Sequence, residues 1–193
     1  MIYKKIFSFI ALVIVFTLIA AVNVNSASPE KVEDFTLADY NGNKHSLSDY
    51  KEAKAIVIMF IATECPVSND YNSRMEKLYN DYKEKGISFV GINSNKAESV
   101  ERIKEHAEEK GLTFTILKDE KNIIADKFEA SSTPETYVLS KDFKVLYHGR
   151  IDNSRKESEV ESKDLENAIN EILEGKEVTK KETKAFGCSI KRI

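Results

Sequence analysis

The chain has 193 residues, enough for one domain with a real core, and its 32 acidic and 29 basic residues give a formal charge of −3. The two signs are well mixed along the chain, which argues against nucleic acid as a partner. Two cysteines and three scattered histidines (His45, His106, His148) do not make a metal site, and no motif implies a metal, nucleotide or flavin cofactor.

The N-terminus reads as a secretory leader. "MIYKK" is a short basic stretch, residues 6–22 are an apolar run of 17, and "NVNSAS" supplies small residues for cleavage, expected after Ala27. A run of 17 is at the lower edge of what spans a bilayer, so an uncleaved anchor is the alternative. Either way the domain is exported, to a periplasmic or extracellular location. Without Lys4 and Lys5, 27 basic residues face 32 acidic ones, and the exported part carries −5. Residues 28–175 read as one domain and residues 176–193 as a polar, lysine-rich, flexible tail.

Within the domain, Asn41-Gly42 marks a tight turn between two short strands. "KAIVIMFIA" (54–62) is a β-branched, almost wholly apolar run, the pattern of a strand buried on both faces. Pro66 then suits the first turn of a helix, and Val67, Tyr71, Met75, Leu78 and Tyr82 give it an apolar stripe closed by Gly86. "ISFVGINSN" (87–95) is the next strand. Asn95 and Glu98 resemble a capping box for a helix with Val100, Ile103 and Ala107 on its apolar face and Gly111 as its stop. "LTFTIL" (112–117) is a third core strand, followed by a short helix around 123–128. "TPETYVLS" (133–140) and "KVLYHGRI" (144–151) form a hairpin turning at Lys141-Asp142. Leu165, Ala168, Ile169, Ile172 and Leu173 mark a final helix ending at Gly175. The order β-β, β-α, β-α, β-α, β-β, α predicts an α/β fold with a mixed sheet covered by helices.

Cys65 falls at the junction between the apolar strand and its helix. Free amides and the positive end of the helix dipole favour an anion there, so the position lowers a thiol pKa, while the neighbouring Glu64 acts in the opposite direction. A reactive thiol is the expectation; a small inert residue under the helix is the bland alternative.

"MFIATECPVSN", "STPETYVLS", "YHGRID" and the ending "GCSIK" together resemble the thioredoxin-fold superfamily over residues 29–191. More narrowly, they are similar to its redoxin branch, the alkyl hydroperoxide reductase/thiol-specific antioxidant or peroxiredoxin-like family. The resemblance implies a thioredoxin-like mixed central sheet with helices on both faces and an N-terminal β extension. It implies Cys65 as nucleophile and a substrate groove around Thr63, Pro66, Ser68, Thr133 and Pro134, with Pro134 cis. It also implies protein thiols and disulfides, or peroxides, as substrates, and an electron donor that the sequence does not identify.

The chain departs from that family in three places. Ala62 stands where a peroxiredoxin carries threonine, and Thr63 is one residue too close to the cysteine. "TPET" holds no arginine, leaving Arg74 and Arg150 as substitutes. Ser68 ends "CPVS" where a dithiol enzyme has its second cysteine; its hydroxyl is placed to hydrogen-bond the Cys65 thiolate. Cys188, 123 positions after Cys65, is the remaining thiol. Its flanks Gly187 and Ser189 suit a tight backbone approach. It reads as a resolving cysteine, as half of a permanent staple, or as unpaired. The rival to a thiol oxidoreductase is a non-catalytic thioredoxin-fold binding domain with a structural Cys65–Cys188 disulfide.

Overall fold

The computed structural model describes residues 28–193. Thr36–Asp39 (β1) and Lys44–Ser46 (β2) form the first hairpin, turning through Gly42 at φ +84°. Ala55–Phe60 (β3) is buried at every position. Its alternate side chains enter two separate cores. Ala55, Val57 and Met59 join one cluster; Ile56, Ile58 and Phe60 join the other.

The helix expected from Pro66 is broken at Tyr71 into Pro66–Asp70 (α1) and Asn72–Tyr82 (α2), and a 3-10 turn then ends at Gly86, φ +89°. Ile87–Asn93 (β4) runs parallel to β3. Val100–Lys110 (α3) starts one residue after Ser99, whose hydroxyl accepts the Arg102 amide. This corrects the capping box: Asn95 lies outside the helix, and Glu98 turns its carboxylate elsewhere. Thr115–Lys118 (β5) is parallel to β4 and antiparallel to β1, and Ile123–Lys127 (α4) follows it.

The strand expected over 133–140 is two pieces. Ser132–Thr133 (β6) stands apart, and Glu135–Leu139 (β7) pairs antiparallel with β3. Val145–Gly149 (β8) completes the late hairpin, and Asp164–Leu173 (α5) is the final helix. The seven-stranded sheet has the order β2-β1-β5-β4-β3-β7-β8. The two parallel connections put α2 and α3 on one face, where α5 joins them, and α4 covers the other. The fold is the expected thioredoxin-like one.

The tail is not a loose appendage. Val178, Thr183 and Ile190 are buried. Thr183 sits against β8: its amide donates to the His148 carbonyl, and its hydroxyl accepts from the Arg150 amide at 3.0 Å. Cys188–Ser189 (β9) then pairs antiparallel with β6. The chain ends with Arg192 donating to the Ala130 carbonyl and the Ile193 amide to Asn122 Oδ1. The sequence hid this because the tail's anchors are single residues among lysines, without periodicity.

Candidate active site

Strand β3 delivers the chain to a short loop, 61–64, and Cys65 becomes the N-cap of α1. Its sulfur accepts the Ser68 amide at 3.3 Å and, as a thiol, donates to the Thr133 carbonyl at 3.2 Å. The Ser68 hydroxyl is used differently from the expectation. It accepts the Ala62 amide at 3.1 Å, tying the loop to the helix, while the Ser68 backbone serves the sulfur. Pro66 is exposed at the first helical position, and the Thr133–Pro134 bond is cis.

Cys188 is registered opposite Thr133 in the β6–β9 pair, which places it beside Cys65. Gly187 makes this approach possible. A Cβ there would lie 2.0 Å from the Thr133 carbonyl oxygen, so no side chain fits. Both cysteines are free thiols, and each lies close enough to affect the acidity of the other.

Their acidities are displaced in opposite directions. Burial resists ionisation of Cys65, but the Cys188 thiol, the Ser68 amide and the Thr133 side chain favour the thiolate and hold its pKa below the ordinary value. Cys188 is raised, first by the neighbouring Cys65 sulfur and then by burial. The pair therefore ionises at Cys65 first, with Cys188 as the proton-bearing partner.

Thr63 is buried with its hydroxyl unpartnered, and both sides of its peptide group are held. Its amide donates to Glu98 Oε2 at 2.6 Å, and its carbonyl accepts Asn69 Nδ2 at 3.0 Å. Asn69 is held in turn by His106 at 2.7 Å. Glu98, Asn69 and His106 are site-supporting residues that the sequence reading missed. In the sequence Glu98 reads as part of a cap, and His106 as a scattered histidine.

Neither arginine reaches for a substrate at Cys65. Arg74 is buried in an ion pair with Asp152 at 2.6 Å and lies over the Tyr71 ring. Arg150 pairs with Asp164 at 2.8 Å.

Glu135, directly after Pro134, fastens the loop that carries Thr133. It accepts the amides of Ser131 and Ser132, both at 2.9 Å, and contacts His148 Nε2 at 2.7 Å. Burial opposes its ionisation, but these contacts and the Tyr137 hydroxyl outweigh it and lower the pKa from 4.5 to about 2. Its stabilising effect is whole above pH 4.5 and is lost as the pH falls toward 2. Glu135→Gln is expected to cost up to about 3 kcal/mol at neutral pH. It should also flatten acid destabilisation in that window. Thermal melts from pH 6 to pH 2 measure this; identical pH profiles for the variant and the parent would contradict it.

The AhpC/TSA family pattern matches residues 29–148. The chain is 33% identical over 131 residues to the thiol-disulfide oxidoreductase ResA of Geobacillus kaustophilus, covering 67% of this chain and 71% of that protein. It is 32% identical over 133 residues to the chloroplastic peroxiredoxin Q of Oryza sativa subsp. japonica, covering 65% of this chain and 58% of that one. Among solved structures, an uncharacterized conserved protein from Geobacillus kaustophilus superposes with a TM-score of 0.79 at 37% identity, covering 86% of this chain and 92% of its own. With the Cys-Pro junction and the redoxin sheet in place, this chain belongs to the AhpC/TSA family.

Proposed function

We propose that the protein is an exported thiol–disulfide oxidoreductase of the redoxin type, with Cys65 as nucleophile and Cys188 as resolving thiol. The observation that carries the reading is that Cys188 is registered opposite Thr133, the residue whose carbonyl accepts the Cys65 thiol at 3.2 Å. The Cys65 thiolate attacks one sulfur of a substrate disulfide, forming a mixed disulfide and releasing the first substrate thiolate. Cys188 loses its proton and attacks Cys65 Sγ. That forms the Cys65–Cys188 bond, breaks the mixed disulfide and releases the second thiolate. An external dithiol then supplies two electrons and two protons to restore both thiols. Cys65 is 5% exposed, so a protein substrate reaches it as β9 lifts from β6.

A permanent staple is the rival use of the same pair. The tail is already fastened without a covalent bond at Thr183 and again from Ile190 to Ile193, which favours exchange over stapling. The deciding experiment traps partners on Cys188→Ser. Mixed disulfides through Cys65 are expected, and they should disappear in the double variant with Cys65→Ser. No adduct with protein or small disulfides would refute the nucleophile assignment.

Export rests on residues 1–27, which lie outside the described residues. Among the described residues no helix is long and apolar enough to cross a membrane. Expression in a bacterium with N-terminal sequencing is expected to give a chain beginning near Ser28 outside the cytoplasm. Full-length soluble cytoplasmic protein would overturn the export reading.

A further inference from the structure

Four buried polar residues, Asn93, Asn95, Glu98 and Lys118, lie at the end of the sheet that carries Cys65, and they join the two cysteine-bearing segments. Glu98 is 4% exposed, and its carboxylate accepts the amides of Thr63, at 2.6 Å, and Glu64, at 3.4 Å. Asn93 Nδ2 donates to the same carboxylate at 2.6 Å. Asn93 Oδ1 accepts the Asn95 amide at 3.2 Å and faces Lys118 Nζ at 3.4 Å; Lys118 also donates to the Asn95 carbonyl at 2.6 Å. Asn95 Oδ1 then accepts the Lys191 amide at 2.8 Å, and the Lys96 amide donates to the Lys191 carbonyl at 2.9 Å. One end of this chain of contacts is two residues before Cys65. The other is three residues after Cys188.

We propose that the last residue of β4 and the loop after it, residues 93–98, form a bracket that holds the Cys65 loop and the Cys188 tail in mutual register, with Glu98 and Asn95 as its two positioning residues. The inference rests on the proposed dithiol pair. A buried carboxylate with an amide at either side of Thr63 fixes where the helix start points. An amide oxygen on Lys191 fixes how close β9 lies. Each contact restricts the dithiol form before any bond is made, so the two thiols meet at a raised effective concentration. Loosening either end gives the dithiol freedom that the closed disulfide lacks, and the disulfide becomes easier to reduce. A contribution to overall stability alone would weaken both redox forms alike and leave their ratio unchanged.

The test is equilibration of the purified protein in mixtures of reduced and oxidised glutathione, followed by thiol counting. In each closure the two cysteine thiols give two electrons and two protons to one glutathione disulfide, yielding the Cys65–Cys188 bond and two glutathione thiols. Glu98→Gln and Asn95→Ala are each expected to lower the closure constant about tenfold, equivalent to about 30 mV for a two-electron couple. Ile103→Val, a core trim on α3, is expected to lower the melting temperature and leave the constant at the parent value. If Glu98→Gln does not fold, Asn95→Ala decides. A parent that never closes the bond overturns the dithiol pair and the bracket with it. A parent that closes normally, with folded variants within twofold of it, overturns the bracket alone.

Discussion

Hydroperoxide consumption by the reduced protein is expected to run roughly a hundred- to a thousandfold slower than in a peroxiredoxin with its full set of donors, and to vanish in Cys65→Ser. The thiolate is favoured, because its surroundings lower the Cys65 pKa from its ordinary value. What is missing is stabilisation of the charge that develops on the leaving oxygen. Ala62 has no hydroxyl to offer. Arg74 is committed to Asp152, and Arg150 to Asp164, so a peroxide at Cys65 meets neither guanidinium. Thiol–disulfide exchange needs no such donors, since the leaving group is itself a thiolate of modest basicity. Parallel stopped-flow assays with hydrogen peroxide and with a small disulfide measure the contrast. Peroxide rates within tenfold of a complete peroxiredoxin would show that the arginines are not required here, or that the unpartnered Thr63 hydroxyl takes over.

Gly187→Ala is expected to lift the tail strand from the Cys65 site. The added methyl carbon would stand 2.0 Å from the Thr133 oxygen, 2.6 Å from its carbonyl carbon and 3.2 Å from the Pro134 nitrogen. All three are backbone atoms of the loop that Glu135 fastens, so no side chain can rotate away to make room. Overpacking of this kind costs about 1–3 kcal/mol. If that cost falls on β9, closure of the Cys65–Cys188 bond weakens roughly five- to hundredfold, since about 1.4 kcal/mol is a factor of ten. Ser189→Ala, at an exposed neighbouring position, should change nothing. Thiol counting after air oxidation reads the result; a Gly187→Ala protein that closes its disulfide as readily as the parent would disprove the steric argument.

Much of this site could be read from residue types. The apolar run of β3, the proline after Cys65 and the Gly86, Gly111 and Gly175 stops are local signals, and each lies where expected. The Gly-Cys-Ser triplet also announced a close backbone approach, which the contact of Gly187 with Thr133 explains. What stayed hidden depends on pairing across long separations. Glu98 sits where a capping residue belongs, but its carboxylate is drawn to an amide 35 positions earlier. Arg74 and Arg150 look free in a sequence because their aspartates lie 78 and 14 positions away. Ser68 has the right spacing to act on the sulfur, yet the amide of Ala62 claims its hydroxyl.

The tail's upstream fastening has a consequence for self-association. Strand β8 is the last in the sheet, and an open last strand is a template for pairing with another chain. Here its outer rim is occupied along both halves: the Val145 amide donates to the Glu30 carbonyl, and His148 exchanges main-chain bonds with Lys181 and Thr183. The opposite rim, β2, is three residues long and begins with a lysine. A partner that peels Gly187–Ile193 away from Cys65 leaves Lys181–Thr183 in place. On the proposed exchange chemistry, the thiols would open while the outer rim of β8 stays covered.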